Sequence, residues 1–451
     1  MPSEHALPSR RTFGRRAVGL GAAAGAGAVA VAATQWSADA DTAGSTYAVN
    51  VRDHGAKGDG KTDDSDAIRA AVTAAIAGRV GGAAQKEVYF PPGNYKVTKK
   101  DTLMWSPTGG SADQIFGLRF RGAGPRVTNI DFATTFGANP DPRENNLITA
   151  AVRLRYTYFL DMSFRSTNPN NRFAYLWSRD GDDTALHYPQ YGVGQNQYFV
   201  YQNVEWRGVW DRVIGLDGDK QANNNSEHHF LMCSTDTQSR YTDAFLHCGI
   251  TNPGANSQQN QFLNYFMMSC NFALAGGDFF RFDRGGSINV LGGSWSMVGT
   301  DPARYFYMPL GNGDITATRL NVNGVRFEPK QSPDQRIIDC GWGNGNVTFT
   351  SCSDIAAVQV PGAANYNLHR YTGTQNRIPI VRYQDCILAG YHLVDNPGAA
   401  LSKGKMIYEG CRFYHSNQAL GPASGTSFLR YTGPTGRYAF RDSWDTADIS
   451  G

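Results

Sequence analysis

Asp161-Met162-Ser163-Phe164 sets the pattern on which the rest of the chain is read: a small or polar residue, an apolar one, a polar one, then an aromatic. It returns as Asn203-Val204-Glu205-Trp206, Met232-Cys233-Ser234-Thr235, Ser269-Cys270-Asn271-Phe272, Gly292-Gly293-Ser294-Trp295 and Gly324-Val325-Arg326-Phe327. Three further copies follow: Ser351-Cys352-Ser353-Asp354, Asp385-Cys386-Ile387-Leu388 and Gly410-Cys411-Arg412-Phe413. The interval averages about 31 residues and ranges from about 23 to 42. No helical period persists after residue 110, only short strands between polar turns. A unit recurring at this spacing is a repeat architecture. A propeller blade needs about four strands per repeat, whereas each interval here holds two or three. A β-solenoid fits better, with one coil per repeat, parallel hydrogen bonding between coils, and variable loops absorbing the spare length.

Stacking also accounts for the cysteines. Cys233, Cys270, Cys352, Cys386 and Cys411 share one motif position, so in a β-helix they form an interior column with a rung spacing of about 4.8 Å. The total of seven is odd and no C-x-x-C pair occurs. Neither a disulfide scaffold nor a structural zinc site is expected, and reduced Cys serves as a small apolar filler.

Upstream, Val49-Asn50-Val51 reads as a strand and His54-Gly55-Ala56-Lys57-Gly58-Asp59-Gly60 as a glycine-rich turn. Thr62-Asp63-Asp64-Ser65 offers N-caps for a helix from about Asp64 to Ala77. Ala67, Ile68, Ala71, Val72, Ala75 and Ile76 fall on one face of it. A coil stack leaves an open apolar end and unpaired edges, and this helix is suited to cover them.

The 451 residues carry a net charge of +3 with 18% charged residues, and there is no basic arm, so nucleic acid is not an expected partner. The first 40 residues differ from the rest. Arg10-Arg11 precedes a weakly apolar run, Ala17 to Ala33, and small-x-small sites follow. This resembles a twin-arginine export signal, read by the export machinery and removed. The run is short and poor in large apolar residues for a bilayer span, so no stable membrane insertion is expected. The expected organisation is a cleaved signal at 1–40 and a single β-helix domain at 47–451, secreted to the outside of the cell.

The segment from Asn50 to Ile68, with Lys57-Gly58-Asp59-Gly60-Lys61-Thr62-Asp63-Asp64 at its centre, resembles the opening motif of the pectate-lyase-like superfamily. That motif is typical of rhamnogalacturonase/epimerase-like β-helices and phage tailspikes. Val88-Tyr89-Phe90-Pro91-Pro92-Gly93-Asn94-Tyr95 and Leu118-Arg119-Phe120-Arg121-Gly122-Ala123-Gly124 are similar to its next two strands. The resemblance spans residues 49–135 and is specific for fold. It implies an all-β, right-handed parallel β-helix with a short N-terminal capping helix. It also implies a polysaccharide substrate, cleavage by hydrolysis or β-elimination, and frequent homotrimers. The chain departs from the polygalacturonase pattern, because Asn-Thr-Asp, Asp-Asp, Gly-His-Gly and Arg-Ile-Lys do not occur in register. It also lacks a Lys/Arg base beside a calcium cluster, as in pectate lyase proper. No motif requires a cofactor or metal, and a calcium requirement stays open.

Same-column residues on adjacent rungs lie about 5 Å apart, a spacing at which two carboxylates can serve as acid and nucleophile. Aligning Asp211–Asp217, Thr242–His247, Gly277–Asp283, Arg304–Tyr307 and Arg336–Asp339 stacks Asp243 over Asp278 and puts Asp217 and Asp283 in a second shared column. Asp243 and Asp278 are the expected acid/base pair, supported by Asp217 and Asp283. His247 lies near them, Arg281 faces outward, and His228 or His229 would position substrate. Tyr188 and Tyr191, on a loop, are candidate groove walls against which sugar faces stack. Aspartates at strand starts also cap turns, so each has a structural reading too. Glycosidic hydrolysis is favoured slightly over elimination because paired Asp outnumber Lys candidates. A non-catalytic carbohydrate-binding or tailspike-like adhesion role is the alternative, and an epimerase or fructan-type transferase a weaker third.

Overall fold

A computed structural model describes residues 47–105, 114–150, 153–178, 196–218, 225–251, 264–283, 286–309, 319–329, 334–341, 345–354, 368–372, 380–389, 392–395, 405–414, 429–432, 437–441 and 444–445. The signal reading at 1–40 falls outside them, as do Tyr188 and Tyr191. Residues Thr46–Gly451 form one compact unit.

Every pairing between the described strands is parallel, and each strand pairs with those one coil before and after it. Three ladders run along the molecule, one on each side of the coil. On the first side Tyr158, Val200, His229, Phe266, Asn289, Asn321, Thr348 and Arg382 follow one another in register. On the second, Ser163, Glu205, Ser234, Asn271, Ser294 and Arg326 do so. On the third the series is Tyr175, Gly215, His247, Arg281, Tyr307, Asp339 and Arg370. This is the expected parallel β-helix, with three short strands per coil.

The recurring sequence motif marks the corner between the first and second sides. Its opening residue has a left-handed backbone in all nine copies: Asp161, Asn203, Met232, Ser269, Gly292, Gly324, Ser351, Asp385 and Gly410, with φ from 51° to 68°. A single left-handed residue turns the chain sharply, and the next side chain then points inward. That inward position is Met162, Val204, Cys233, Cys270, Val325, Cys352, Cys386 or Cys411, each buried. All seven cysteines are free and buried.

The interior is apolar and aromatic. Phe120, Phe159, Tyr201 and Phe230 stack rung upon rung, with ring centroids 4.9, 5.4 and 4.8 Å apart. Such pairs add about 0.5–1.5 kcal/mol each beyond the area they bury. Trp206, Trp210 and Trp295 are fully buried.

The helix forms at Ser65–Ala77 and buries Ile68, Ala71, Val72 and Ala75. It packs on the 3-10 turn Val51–His54 and on strands Ala48–Asn50 and Glu87–Tyr89, which open the first ladder. Asp64 occupies the N-cap position, but its carboxylate accepts from Lys57 N and Gly58 N at 2.6 and 3.0 Å, so it ties down the glycine turn. Asp63 accepts from Ser65 N at 3.1 Å and also holds Thr98, linking the helix start to strand Gly93–Val97.

Candidate active site

The third side carries a polar groove of roughly 500 Å³ walled by Asp243, Asp278, Asp334 and Asp339 with Arg281, Arg304, Arg336 and Arg370. These residues come from strands Arg240–Cys248, Gly276–Phe282, Ala303–Met308, Gln335–Cys340 and His369–Thr372 and their leading turns. In register, Ala244, Asp278, Arg304 and Arg336 form one column, of which Ala244 is buried, and His247, Arg281, Tyr307, Asp339 and Arg370 form a second, three residues further along. Two consecutive buried residues separate the columns on each strand, Phe279-Phe280, Tyr305-Phe306 and Ile337-Ile338, so the regular alternation is interrupted and both columns border the groove.

The local backbone corrects one expectation. Asp243 does not stack over Asp278: a register shift between Arg240 and Ala244 puts Ala244 opposite Asp278. The cause is visible in Gly277, whose φ is 88° and whose missing Cβ would stand 2.0 Å from Tyr241 O. Only glycine permits that approach, and it brings the backbone leading into Asp278 close to the preceding coil. Asp243 and Asp278 still face the same groove, offset along the strand.

Their surroundings differ. Burial works to raise the pKa of Asp243, but His247 Nδ1 at 2.8 Å and Arg212 Nη1 at 3.0 Å outweigh it. The carboxyl of Asp243 is held well below its usual range. Burial of Asp278 prevails over its two-pronged pairing with Arg304, at 2.7 and 2.9 Å, and its pKa is raised. His247 bridges two acids, its Nε2 lying 3.1 Å from Asp283 Oδ2. Burial would lower the pKa of His247, yet hydrogen bonds to Asp243 and Asp283 raise it above the ordinary value. Arg281 pairs with Asp283 at 2.8 Å and reaches toward Asp243 at 3.5 Å. Arg304 lies over the Tyr307 ring, 3.3 Å from its centroid.

The structure thus gathers Asp243, Asp278, Asp283, His247 and Arg281. It does not bring Asp217 into the groove. Asp217 and Asp283 flank Gly249 in one column, but Asp217 is buried and accepts from Tyr175 OH at 3.1 Å and from Thr251 N and Oγ1 at 2.9 and 2.6 Å. The expectation for His228 is overturned. Its ring is fully buried on the first side, stacked 4.9 Å from Phe199 and 5.7 Å from Tyr265, and burial pushes its pKa down to about 3. His229 faces outward on that same side and stacks on Phe266 at 5.0 Å, so neither histidine reaches the groove. The sequence named Arg281 among the candidates, but not Arg304, Arg336 and Arg370. Arg304 and Arg336 began two of the aligned strands, and their column with Asp278 was available from that alignment. Among the described residues, the side chains placed to share a metal ion are Asp354, His369 and His392, inside the coil and not on the groove.

Residues 48–263 match the family described as rhamnogalacturonase A/epimerase, pectate lyase-like. Alginate lyase 7 of Azotobacter vinelandii is 56% identical over 52 residues, 12% of this chain and only 6% of that protein. The A-module of the Azotobacter vinelandii mannuronan C-5 epimerase AlgE6 aligns with TM-score 0.37 and 14% identity, covering 88% of this chain and 99% of that one. The catalytic unit of a GH87 alpha-1,3-glucanase from Streptomyces thermodiastaticus aligns with TM-score 0.38 and 13% identity, over 90% and 70% of the two chains.

Proposed function

We propose that this chain, a pectate-lyase-like β-helix by its residues 48–263, is an exported enzyme that cleaves glycosidic bonds of an acidic polysaccharide in the groove of its third side. The observation that carries this reading is the opposed displacement of two carboxylates in one groove, Asp278 upward and Asp243 downward. Such separation assigns an acid and a base. Asp278 is the proton donor to the glycosidic oxygen, and Asp243, kept ionised, is the partner that attacks the anomeric carbon or takes a proton from water. His247 and Arg212 position Asp243 rather than touch substrate.

The arginines support an acidic chain. Arg281, Arg304, Arg336 and Arg370 line the groove, and guanidinium groups bind carboxylates two-pronged. A sugar carboxylate that engaged Arg304 would draw it away from Asp278. Losing that cation raises the Asp278 pKa further, so substrate entry itself would favour the protonated, proton-donating form of the acid. Hydrolysis is the favoured chemistry. β-Elimination is the second reading, because the same arginines can neutralise a uronate carboxylate, and its unsaturated product absorbs in the ultraviolet. Export by the twin-arginine route is proposed on Arg10-Arg11 and the Ala17–Ala33 run.

The test is release of shorter chains from a panel of acidic polysaccharides. Asp278→Asn and Asp243→Asn should each lower the rate by about 100-fold or more, with the circular dichroism spectrum unchanged. Activity should fall on the alkaline side as Asp278 loses its proton, and this limb should vanish in Asp278→Asn. Wild-type rates in both variants would sink the assignment. Retention of polysaccharide with no shortening would favour the non-catalytic binding role.

A further inference from the structure

We infer that Asp354, His369 and His392 form a binding site for a divalent transition-metal ion inside the coil, remote from the groove. One ligand atom from each residue lies within 4.8 Å of the others, and all three side chains are buried.

The column they interrupt makes this set unusual. Ile148, Ala174, Ile214, Leu246, Phe280, Phe306 and Ile338 follow one another in register on the third side, and all are buried and apolar. The next two rungs carry His369 and His392. Two imidazoles and a carboxylate are costly in such surroundings unless their polar atoms are engaged.

The neighbours fix which atoms converge. Tyr383 Oη lies 2.9 Å from His369 Nδ1, and Tyr408 Oη lies 2.9 Å from His392 Nδ1. Nε2 is therefore the nitrogen each ring presents to a cation. His369 Nε2 is 3.1 Å from Asp354 Oδ2, and the two rings are 4.2 Å apart, centroid to centroid. Metal-bound histidines commonly hold their second nitrogen this way, which sets tautomer and ring orientation. Two imidazole nitrogens and a carboxylate oxygen suit zinc, at about 2.0–2.2 Å from each ligand atom, so the ligands would draw together slightly from their present spacing.

The proton balance closes without an outside acceptor. The cation takes the place of the proton between His369 Nε2 and Asp354. The neutral ring then carries its proton on Nδ1 and donates to Tyr383 Oη. Tyr383 turns its own proton to Tyr371 Oη, 2.5 Å away. Because Asp354 and His369 belong to one coil and His392 to the next, the ion would add a cross-link between neighbouring coils to their hydrogen bonds and side-chain stacking.

The test uses the full chain loaded with zinc, dialysed, and analysed by plasma mass spectrometry. About one zinc per chain should be retained, and a chelator should lower the melting temperature. Cobalt in place of zinc should give visible absorption bands. His392→Phe, which restores an apolar rung, should lose the bound metal while keeping the fold, and Tyr408→Phe should weaken affinity about tenfold or more. Wild-type protein that retains no stoichiometric metal, and melts alike with and without chelator, would overturn the site. Those two readings need no variant to fold.

Discussion

At the scale of single residues, His247 is the most informative group. It is buried between Asp243 and Asp283, and as a cation it satisfies both. Its folded pKa is raised above 6.5. A raised cation contributes stability that is complete below the unfolded value and disappears as pH climbs through the folded one. The melting temperature should therefore decline from pH 6.5 upward in the wild type, and His247→Gln should lack that part of the slope. Thermal scans between pH 6 and 9 would check it. The residue scale is also where the sequence was misread. His228 shares strand parity with Phe230, both inward, and that parity alone would have placed it in the core. His229 takes the opposite parity and faces out on the wrong side of the coil for the groove. His369 and His392 escaped notice because their strands lack the corner motif, so only the register from Ile338 onward reveals them.

At the scale of elements, the helix and the corner were legible because each rests on local rules. The apolar face of Ser65–Ala77 has helical spacing, and the motif's opening residue is mostly Gly, Asn, Asp or Ser, types that tolerate a left-handed backbone or hydrogen-bond locally. Met232 is the exception, legible only through its place in the series. The slip between Asp243 and Asp278 was not legible, since it depends on how closely Gly277 approaches Tyr241 in the coil below. The helix supports a quantitative expectation. Ile68 is fully buried against the first coil, so Ile68→Ala should cost about 2–5 kcal/mol. The midpoint of urea unfolding would show it. Because the helix covers the strands that begin the first ladder, the loss should also promote association through those edges, visible in light scattering.

At the scale of the molecule, the repeat made the architecture readable. Coils of unequal length share an internal pattern, and parallel stacking converts sequence distance into neighbourhood along an axis. The groove was only half readable, because its aspartates follow from that stacking, whereas the arginine wall spans four strands whose exact register is a property of the assembled coil. The nine corners carry a further consequence for how such a chain can vary. Spacing between successive corners runs from 23 residues, Ser269 to Gly292, to 42, Asp161 to Asn203. Length thus varies elsewhere around the coil while every bend opens on one left-handed residue. A library of short peptide insertions, sorted for folded protein, should return a barcode: forbidden sites at each of the nine bends and permissive ones between strands, with gaps echoing the coil lengths.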